Sequence, residues 1–260
     1  MSFAKKSLGQ NFLIDHNIVR KIINLVKVSN KNVLEIGPGK GALTDEIIKN
    51  NPKSLTLIEK DLSICKDLQT KYKKNNNIKI FNKDFLKFNI EKKLKEKTIV
   101  FGNLPYNISS QILVKILKFR IWPPKYNNLI FMFQKELGEK IVGKYLTSDY
   151  SRLSIITNYR LDVVKKFDVS SNSFFPKPKI TSMVIQFKPA KKKNFKIKRI
   201  ESLEKITNVL FSNKRKMINK NIKKILSDKK INEIKNLNLK KRPSEIQPEI
   251  YYKIAEFFES

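Results

Sequence analysis

Short apolar runs alternate with helix-like segments through the first half of this sequence, and no other feature narrows its possible folds as much. Apolar residues recur at helical spacing in 42–49 and 61–72. Five other runs have the length and composition of buried strands. They are residues 32–36, 54–59, 78–81, 98–102 and 128–133. The alternation predicts an α/β fold, in which a largely parallel sheet is covered by helices.

Segments on either side of this alternation can also be assigned. Asp15 is predicted to cap a helix whose apolar residues begin at Ile18 and recur at three- and four-residue steps. The lone histidine, His16, is interpreted as the start of that helix rather than as a catalytic base. Residues 160–169 and 181–187 resemble an antiparallel strand pair, which we expect to close one edge of the sheet.

A change in composition late in the chain predicts a domain boundary. Pro189 is followed by a charged run at 191–193, and the pattern from Ile200 onward is helical with no convincing strand. We therefore predict a main domain of residues 1–189 and a small all-helical domain of residues 190–260.

The chain is strongly basic. Lysine and arginine number 55 against 23 acidic residues, which gives a formal net charge of +32. This excess is larger than solubility requires, so it predicts a polyanionic partner. A coding bias towards AT-rich codons is an alternative source for part of it, because lysine is abundant while arginine is scarce.

The remaining composition excludes several classes of protein. Hydrophobic residues make up 40% of the chain, which is enough for a sizeable core and argues against disorder. With Cys65 and His16 as its only cysteine and histidine, the chain is not expected to hold a disulfide framework or a metal. No apolar signal core or membrane-length run is present, so we expect a soluble cytoplasmic protein without membrane association.

Residues at the carboxyl ends of parallel strands are the first candidates for ligand binding. The turn after the first predicted strand contains Gly37, Gly39 and Gly41, which permit a close backbone approach just before a helix. Glu59 ends the second strand, where a carboxylate can accept both hydroxyls of a ribose. Asp84 follows the third strand and suits an adenine amino group. Aspartate is also a common turn or helix cap, which is the alternative for Asp84.

The charges around this turn indicate which nucleoside cofactor it would hold. A dinucleotide pyrophosphate needs bare backbone donors, whereas Pro38 has no N–H group and Glu35 lies just before the turn. The carboxylates of Glu35, Glu59 and Asp84 favour a cationic ligand instead. S-adenosylmethionine carries a sulfonium and an ammonium group, so the sequence predicts this cofactor rather than NAD.

The tetrapeptide Asn103-Leu104-Pro105-Tyr106 ends the fourth predicted strand and forms a candidate nucleobase site. The Asn103 carboxamide and the Leu104 carbonyl, restrained by Pro105, provide two acceptors at fixed spacing. Tyr106 adds a flat ring on which a base can stack. The acceptors suit the amino group of adenine or cytosine, whose lone pair is delocalised into the ring. On these residues alone, an inert turn at the strand end is the alternative.

The cofactor turn and the tetrapeptide together make the sequence similar to the RNA adenine dimethyltransferases, specifically to the branch that acts on the small ribosomal subunit. The similarity extends over nearly the whole chain in the family's order. The matching segments are 7–13, 33–44, 102–109, 134–136, 150–154, 174–179, 210–216 and 241–245, together with Glu59 and Asp84. The resemblance implies a Rossmann-like, S-adenosylmethionine-dependent catalytic domain at 1–189 and a helical, RNA-binding domain at 190–260.

The resemblance also implies a reaction and a partner. The expected reaction is dimethylation of the 6-amino groups of two adjacent adenosines in a hairpin of small-subunit (16S) ribosomal RNA. The expected partner is that RNA or the immature 30S subunit, and the expected role is in small-subunit biogenesis. A monomer is the simplest expectation for the protein itself.

Residues implied to bind the cofactor are spread over the first 103 positions. They are Gln10, Asn11, Leu13, Glu35, Gly37, Gly39, Glu59, Asp84 and Asn103. By resemblance, Asn11 and Leu13 contact the methionine part, Gly37 forms the turn beneath it, Glu59 contacts the ribose and Asp84 the adenine.

Residues implied to hold the target base lie in two segments. Asn103 would bind the amino group, while Tyr106 and Phe174 would sandwich the flipped base, as aromatic rings do in single-strand binders. The chain departs from the family pattern at 170–171, where serines replace the usual prolines. Phe175 stands next in sequence and is the alternative to Phe174 as the stacking residue.

Basic residues beside these segments suit RNA phosphates. In a helix predicted after Ser212, lysines recur on one side and apolar residues on the other. The lysines are Lys216, Lys220, Lys223 and Lys224, and the apolar residues are Met217, Ile218, Ile222 and Ile225. Lys177 and Lys179 flank the predicted base slot. Such contacts add affinity without reading sequence, so RNA shape is expected to select the site. For any single lysine, an ordinary solvated position is the alternative.

Three other functions are left open by the sequence. A large-subunit ribosomal RNA methyltransferase of the antibiotic-resistance type shares the core pattern. A DNA adenine methyltransferase uses a similar tetrapeptide, although the leucine at Leu104 and the lack of a base-reading domain argue against it. A ribosome-assembly factor without turnover would keep the fold and the basic surface, but it has no need of an intact Asn103, Glu59 and Asp84.

Overall fold

The structure is a computed structural model that describes residues 10–190 and 195–260. The matching segment at 7–9 and the charged run at 191–193 lie outside the described residues. The contacts divide the chain into two compact units. The first unit contains the residues up to Gly138 together with Val163–Pro189, and the second contains Glu139–Asp162 together with Ala190–Ser260.

In the part of the chain that the structure describes, nine strands form two sheets. They are β1 (Phe12–Leu13), β2 (Asn32–Ile36), β3 (Ser54–Glu59), β4 (Ile78–Asn82), β5 (Thr98–Asn103), β6 (Tyr126–Gln134), β7 (Leu161–Val169), β8 (Phe174–Phe175) and β9 (Ser182–Pro189). The larger sheet has the order β4-β3-β2-β5-β6-β9-β7, and β1 pairs with β8 in a separate antiparallel ribbon. Strands β2 to β6 run parallel and β9 runs antiparallel to β6.

The predicted parallel sheet is confirmed. Strands β2 and β3 have the predicted bounds, and the other three predicted strands extend by one to three residues. The central strands are mainly apolar because helices cover both faces of such a sheet. At the edge, Ala190 N donates to Arg160 O at 2.8 Å, so the end of β9 lies beside the start of β7, as the predicted antiparallel pair requires.

Ten α-helices within residues 10–190 and 195–260 connect or flank the strands. They are α1 (His16–Ile23), α2 (Ala42–Lys49), α3 (Leu62–Lys71), α4 (Ser109–Leu117), α5 (Lys135–Val142), α6 (Arg152–Arg160), α7 (Ile200–Phe211), α8 (Asn219–Ile222), α9 (Asp228–Glu233) and α10 (Pro248–Glu259). Asp15 caps α1 by accepting from Asn17 N and Ile18 N, so the predicted cap and the position of His16 are confirmed. Within the described residues, no helix is both long and apolar enough to cross a membrane.

The second unit contains helices and no strand after residue 195 in its described part. Helix α6 packs against α7, and α7 packs against α10. Tyr150 OH donates to Ile246 O at 2.9 Å, and Tyr252 OH donates to Ile155 O at 3.3 Å. These contacts explain why residues 139–162 join the carboxyl-terminal helices, whereas the sequence suggested a single cut at 189.

The prediction of a continuous helix after Ser212 is wrong. Helix α7 ends at Phe211, and the chain passes through turns before the four-residue α8. Ile218 N donates to Lys241 O at 3.0 Å, a carbonyl of another segment rather than of a preceding helical turn. Met217, expected on the packed side, is 48% exposed, while Ile218 and Ile222 are buried as predicted.

Candidate active site

A cleft opens in the first unit at the carboxyl ends of β2, β3 and β5. It contains about 1180 Å³ of empty space, part of which is open solvent. The structure brings together here the residues that the sequence assigned to the cofactor and to the tetrapeptide. They are Gln10, Asn11, Leu13, Glu35, Gly37, Gly39, Glu59, Asp84, Asn103, Leu104, Pro105 and Tyr106.

The glycine turn has the backbone conformation that the sequence suggested. Gly37 and Gly39 have φ angles of +66° and +55°, a region that residues with a Cβ atom rarely adopt. A Cβ atom on Gly39 would lie 3.0 Å from the Phe12 ring. The turn therefore needs glycine both for its conformation and for the close approach of β1.

Glu59 lies at the end of β3 and is held by two backbone donors. Its Oε1 accepts from Asp61 N at 2.8 Å and its Oε2 from Gly39 N at 3.3 Å. Burial raises the pKa of Glu59, and these hydrogen bonds oppose the rise. Each carboxylate oxygen has a further lone pair, so the group can also accept from a pair of ligand hydroxyls.

Asp84 has the turn-cap role that the sequence offered as the alternative, and it also lines the cleft. Its Oδ1 caps a turn by accepting from Leu86 N at 2.9 Å, and its Oδ2 lies 3.0 Å from Lys60 Nζ. Burial raises the pKa of Asp84, but the hydrogen bonds from Lys60 and Leu86 outweigh it, so the pKa is lowered. Asp84 is therefore an ionised acceptor in the wall of the cleft.

Glu35 is a buried carboxyl group beside the glycine turn. It is 1% exposed, and its Oε2 accepts from Thr44 Oγ1 at 2.6 Å. Burial raises the pKa of Glu35 to about 8, although the Thr44 hydrogen bond opposes the shift. The group is mostly protonated at neutral pH in the absence of a cation, and a nearby cationic ligand would favour its ionised form.

The Asn103 carboxamide has a fixed orientation. Its Nδ2 donates to Asn11 O at 3.0 Å, which leaves Oδ1 as the acceptor that the side chain can offer to a ligand. Asn11 and Asn103 are 92 positions apart, and no local pattern in the sequence could have indicated this contact. The same segment, residues 10–13, lines the cleft on the cofactor side.

The other members of the tetrapeptide are also restrained. Leu104 is buried, and its side chain packs where a Cβ atom on Gly102 would lie. The Tyr106 hydroxyl group is 2.5 Å from Ser182 Oγ, so the ring is fixed at its far end. Burial raises the pKa of Tyr106, and the phenol is neutral at physiological pH.

The expectation that Phe174 offers an open ring face does not hold in this structure. Phe174 is 2% exposed and belongs to the hydrophobic core, because β8 pairs with β1 and places it opposite Leu13. Successive side chains of a strand point to opposite sides, so Phe175 turns outward and is 65% exposed. In this conformation Phe175, the alternative from the sequence, has the accessible ring.

Comparison with known proteins gives a match over the full length of the sequence. Residues 1–260 match the family model described as ribosomal RNA adenine dimethylase. The chain belongs to the ribosomal RNA adenine dimethylase family. It is therefore a methyltransferase, and the family uses S-adenosylmethionine as its methyl donor.

Relatives in this family resemble the chain over almost its whole length. "Ribosomal RNA small subunit methyltransferase A" of Pelagibacter ubique is 42% identical over 98% of the chain and 97% of its own length. The protein of the same name from Malacoplasma penetrans is 38% identical over 97% of the chain and 91% of its own length.

Solved structures support the methyltransferase fold. A dimethyladenosine transferase from Plasmodium falciparum has a TM-score of 0.75 at 23% identity and covers 94% of the chain and 95% of its own. The 23S ribosomal RNA methyltransferase ErmE has a TM-score of 0.67 at 23% identity, and the match covers 96% of this chain and 100% of the ErmE chain. At 23% identity, these similarities show a shared fold only.

The cleft of this adenine dimethylase fits S-adenosylmethionine by its donor and acceptor set. Glu59 and Asp84 are acceptors at the ends of adjacent strands, as a ribose and an adenine amino group require. Glu35 is a buried carboxyl group that a cation would ionise. Among residues 10–190 and 195–260, no cluster of histidine, cysteine or carboxylate side chains could hold a metal ion.

The predicted RNA-binding lysines lie in both units. Lys177 and Lys179 are exposed in the loop between β8 and β9 of the first unit. Lys216, Lys220, Lys223 and Lys224 are exposed around α8 in the second. Lys223 Nζ is 2.9 Å from Asp228 Oδ1, so part of its charge is already balanced within the protein.

Proposed function

We propose that this enzyme transfers methyl groups from S-adenosylmethionine to the 6-amino groups of two adjacent adenosines in a hairpin of small-subunit (16S) ribosomal RNA. The observation that supports this most strongly is the fixed Asn103 carboxamide in a cleft that also contains Glu59 and Asp84. The names of the relatives from Pelagibacter ubique and Malacoplasma penetrans favour RNA of the small ribosomal subunit as the substrate.

In the proposed mechanism the protein prepares the adenine amine for attack. Asn103 Oδ1 and the Leu104 carbonyl each accept a hydrogen bond from one N–H of the amino group, which draws its lone pair out of conjugation with the ring. S-adenosylmethionine supplies an electrophilic methyl group on a positively charged sulfur. Asn11 maintains the acceptor geometry by binding Asn103 Nδ2, so the reacting nitrogen is held in one orientation.

The proposed cofactor contacts follow the positions around the cleft. Glu59 accepts from the ribose hydroxyls, Asp84 accepts from the adenine amino group, and Glu35 balances the positive charge of the methionine part. The segment at 10–13, with Gln10, Asn11 and Leu13, covers the methionine part. Gly37 and Gly39 form the turn against which it lies.

We expect Tyr106 and Phe175 to stack on the flipped base. Phe175→Ala should raise KM for RNA by about 5- to 150-fold, equivalent to about 1–3 kcal/mol of stacking, with little change in thermal stability because the ring is exposed. Phe174→Ala should instead lower the free energy of unfolding by about 3–5 kcal/mol, as expected for a buried phenylalanine. Steady-state kinetics and chemical denaturation measure the two effects. Normal kinetics in Phe175→Ala together with lost turnover in a folded Phe174→Ala would assign the stacking to Phe174.

The basic residues are proposed to bind phosphates of the RNA. Binding should weaken steeply with salt, and replacing Lys216, Lys220 and Lys224 by glutamine should reduce the slope of log K against log salt by about one per lost contact. Lys223 should contribute less because Asp228 already pairs with it. Filter binding at several salt concentrations measures the slope. The control is Lys73→Gln, an exposed lysine at the end of α3. Equal slopes in the triple variant and the control would show that these lysines do not bind RNA phosphates.

One experiment tests substrate, atom and reaction together. Adenine methylation is mapped in ribosomal RNA from cells lacking the protein, and purified enzyme with labelled S-adenosylmethionine is then added to immature small subunits. We expect two adjacent N6-dimethyladenosines that are absent in the mutant and restored in vitro. Methylation of large-subunit RNA would indicate the resistance-type activity, and methylation of duplex DNA alone a DNA methyltransferase. RNA binding without methylation would indicate an assembly factor.

We further propose that the enzyme acts as a monomer in the cytoplasm on the immature 30S subunit. Sedimentation of the free protein, and of the protein with immature subunits, tests both statements.

A further inference from the structure

The ammonium group of Lys115, on α4, is bound to a single loop. Its Nζ donates to Phe85 O at 2.7 Å, to Leu86 O at 2.7 Å and to Phe88 O at 2.8 Å. An ammonium group has three protons, so these contacts use its full donor capacity. Lys115 is therefore committed to the protein, unlike the exposed lysines proposed to bind RNA.

The loop at 84–88 is a helical turn that does not continue as a helix. Asp84 O accepts from Lys87 N and Phe88 N at 3.0 Å each, and the Asp84 carboxylate accepts from Leu86 N. Carbonyl groups at the end of such a turn lack the donors that further helical residues would provide, although Phe88 O also accepts from Ile90 N at 2.9 Å. A lysine near a helix end can satisfy them, and Lys115 does so from a separate element.

This loop forms one wall of the cofactor cleft. Asp84 and Phe85 both line the cleft, and Lys115 Nζ lies 5.4 Å from the centroid of the Phe85 ring. Ile112, on the preceding turn of α4, lines the cleft as well. Since α4 begins three residues after Tyr106, Lys115 connects the helix that follows the tetrapeptide to the wall that contains Asp84.

We propose that Lys115 is a positioning residue for the adenine end of the cofactor cleft. By binding three carbonyls of the loop it fixes the Asp84 carboxylate and the Phe85 ring, and it thereby sets both the affinity for the adenosyl group and the preference for adenine. The inference rests on the proposed role of Asp84 as acceptor for the adenine amino group. Lys115 acts through the loop and does not touch the ligand.

Calorimetry with two ligands tests this role without measuring activity. S-adenosylhomocysteine carries the amino group that Asp84 would accept, whereas S-inosylhomocysteine carries a carbonyl group there. Lys115→Met removes the ammonium group and keeps much of the side-chain length. We expect it to weaken the binding of S-adenosylhomocysteine by about tenfold, as the loss of three hydrogen bonds to the loop that carries Asp84 suggests, while the binding of S-inosylhomocysteine changes by less than about threefold. The preference for adenine should therefore fall.

Two further variants serve as controls. Lys87→Met removes an exposed lysine from the same loop and should leave both affinities within about twofold of wild type. Lys115→Arg keeps a cation with several N–H donors and should keep more of the adenine preference than Lys115→Met. If Lys115→Met does not fold, Lys115→Gln is compared with Lys115→Arg in the same way.

The possible outcomes separate this inference from the proposed function. Unchanged affinities in Lys115→Met, or an equal loss for both ligands, would overturn the positioning role, because a general structural defect does not distinguish adenine from hypoxanthine. A wild-type protein that binds neither ligand would instead overturn the cofactor assignment of the whole cleft. A loss of affinity that is selective for S-adenosylhomocysteine supports both the positioning role of Lys115 and the cofactor assignment of the cleft.

Discussion

Replacing Asn103 by alanine is expected to abolish measurable methyl transfer while leaving cofactor binding nearly unchanged. The variant loses the side-chain oxygen that would accept from the target amine, and a lost transition-state hydrogen bond of this kind costs about 10²- to 10³-fold in rate. The Nδ2 bond to Asn11 O is lost as well, so the remaining acceptor, the Leu104 carbonyl, cannot orient the amine alone. Single-turnover kinetics with small-subunit RNA measure the rate, and calorimetry with S-adenosylhomocysteine measures binding.

A matched control separates this effect from a general loss of amide side chains. Asn89→Ala removes an exposed asparagine outside the residues that line the cleft and should retain wild-type kinetics. Full turnover in Asn103→Ala would rule out its role in catalysis. Loss of binding to S-adenosylhomocysteine in the same variant would show that Asn103 serves mainly the cofactor.

Glu35→Gln is expected to remove a large pH dependence of stability. In the folded protein burial raises the pKa of Glu35 to about 8, while in the unfolded chain it should be near the ordinary value of 4.5. Between these values unfolding releases a proton, so the wild-type stability contributed at this position falls as pH rises and is lost through pH 8. The difference of about 3.5 units corresponds to about 3–5 kcal/mol. Glutamine is always neutral and keeps an acceptor for Thr44 Oγ1.

Chemical denaturation at several pH values tests the linkage. The free energy of unfolding of Glu35→Gln minus that of wild type should grow from pH 5 to pH 8.5, and the difference isolates Glu35 from the opposite contribution of Asp84. A difference that stays constant with pH would mean that Glu35 is not protonated in the folded protein. A lowered pKa would give the same constant difference, because Glu35 would then be ionised in both the folded and the unfolded protein over this pH range.

The sheet and the acidic residues of the cleft were predictable because they depend on local patterns. An apolar run such as β2 or β3 identifies a strand by composition, and the residue at its carboxyl end follows directly. Parallel strands place those ends at one edge of the sheet, so the sequence alone predicts that Glu59 and Asn103 line a common site. The Asp15 cap was visible for the same local reason.

Features that depend on pairing between distant segments could not be predicted. The ribbon of β1 and β8 consists of two-residue strands, too short to leave an alternating pattern, yet its register decides that Phe174 is buried and Phe175 exposed. The bonds from Lys115 to the loop at 84–88 link residues 27 to 30 positions apart. The apolar spacing after Ser212 is that of a helix. The hydrogen bond from Ile218 N to Lys241 O instead fixes a turn before the short helix α8.

The pairing of β1 with β8 connects a segment beside the acceptor amide with the strand that carries the exposed aromatic ring. One strand of this ribbon continues from Asn11, which orients the acceptor amide, and the other carries Phe175, the exposed ring. The strand that carries the exposed ring is therefore paired with the segment that orients the acceptor amide. A substitution that breaks this pairing should disturb both the position of Phe175 and the orientation of Asn103.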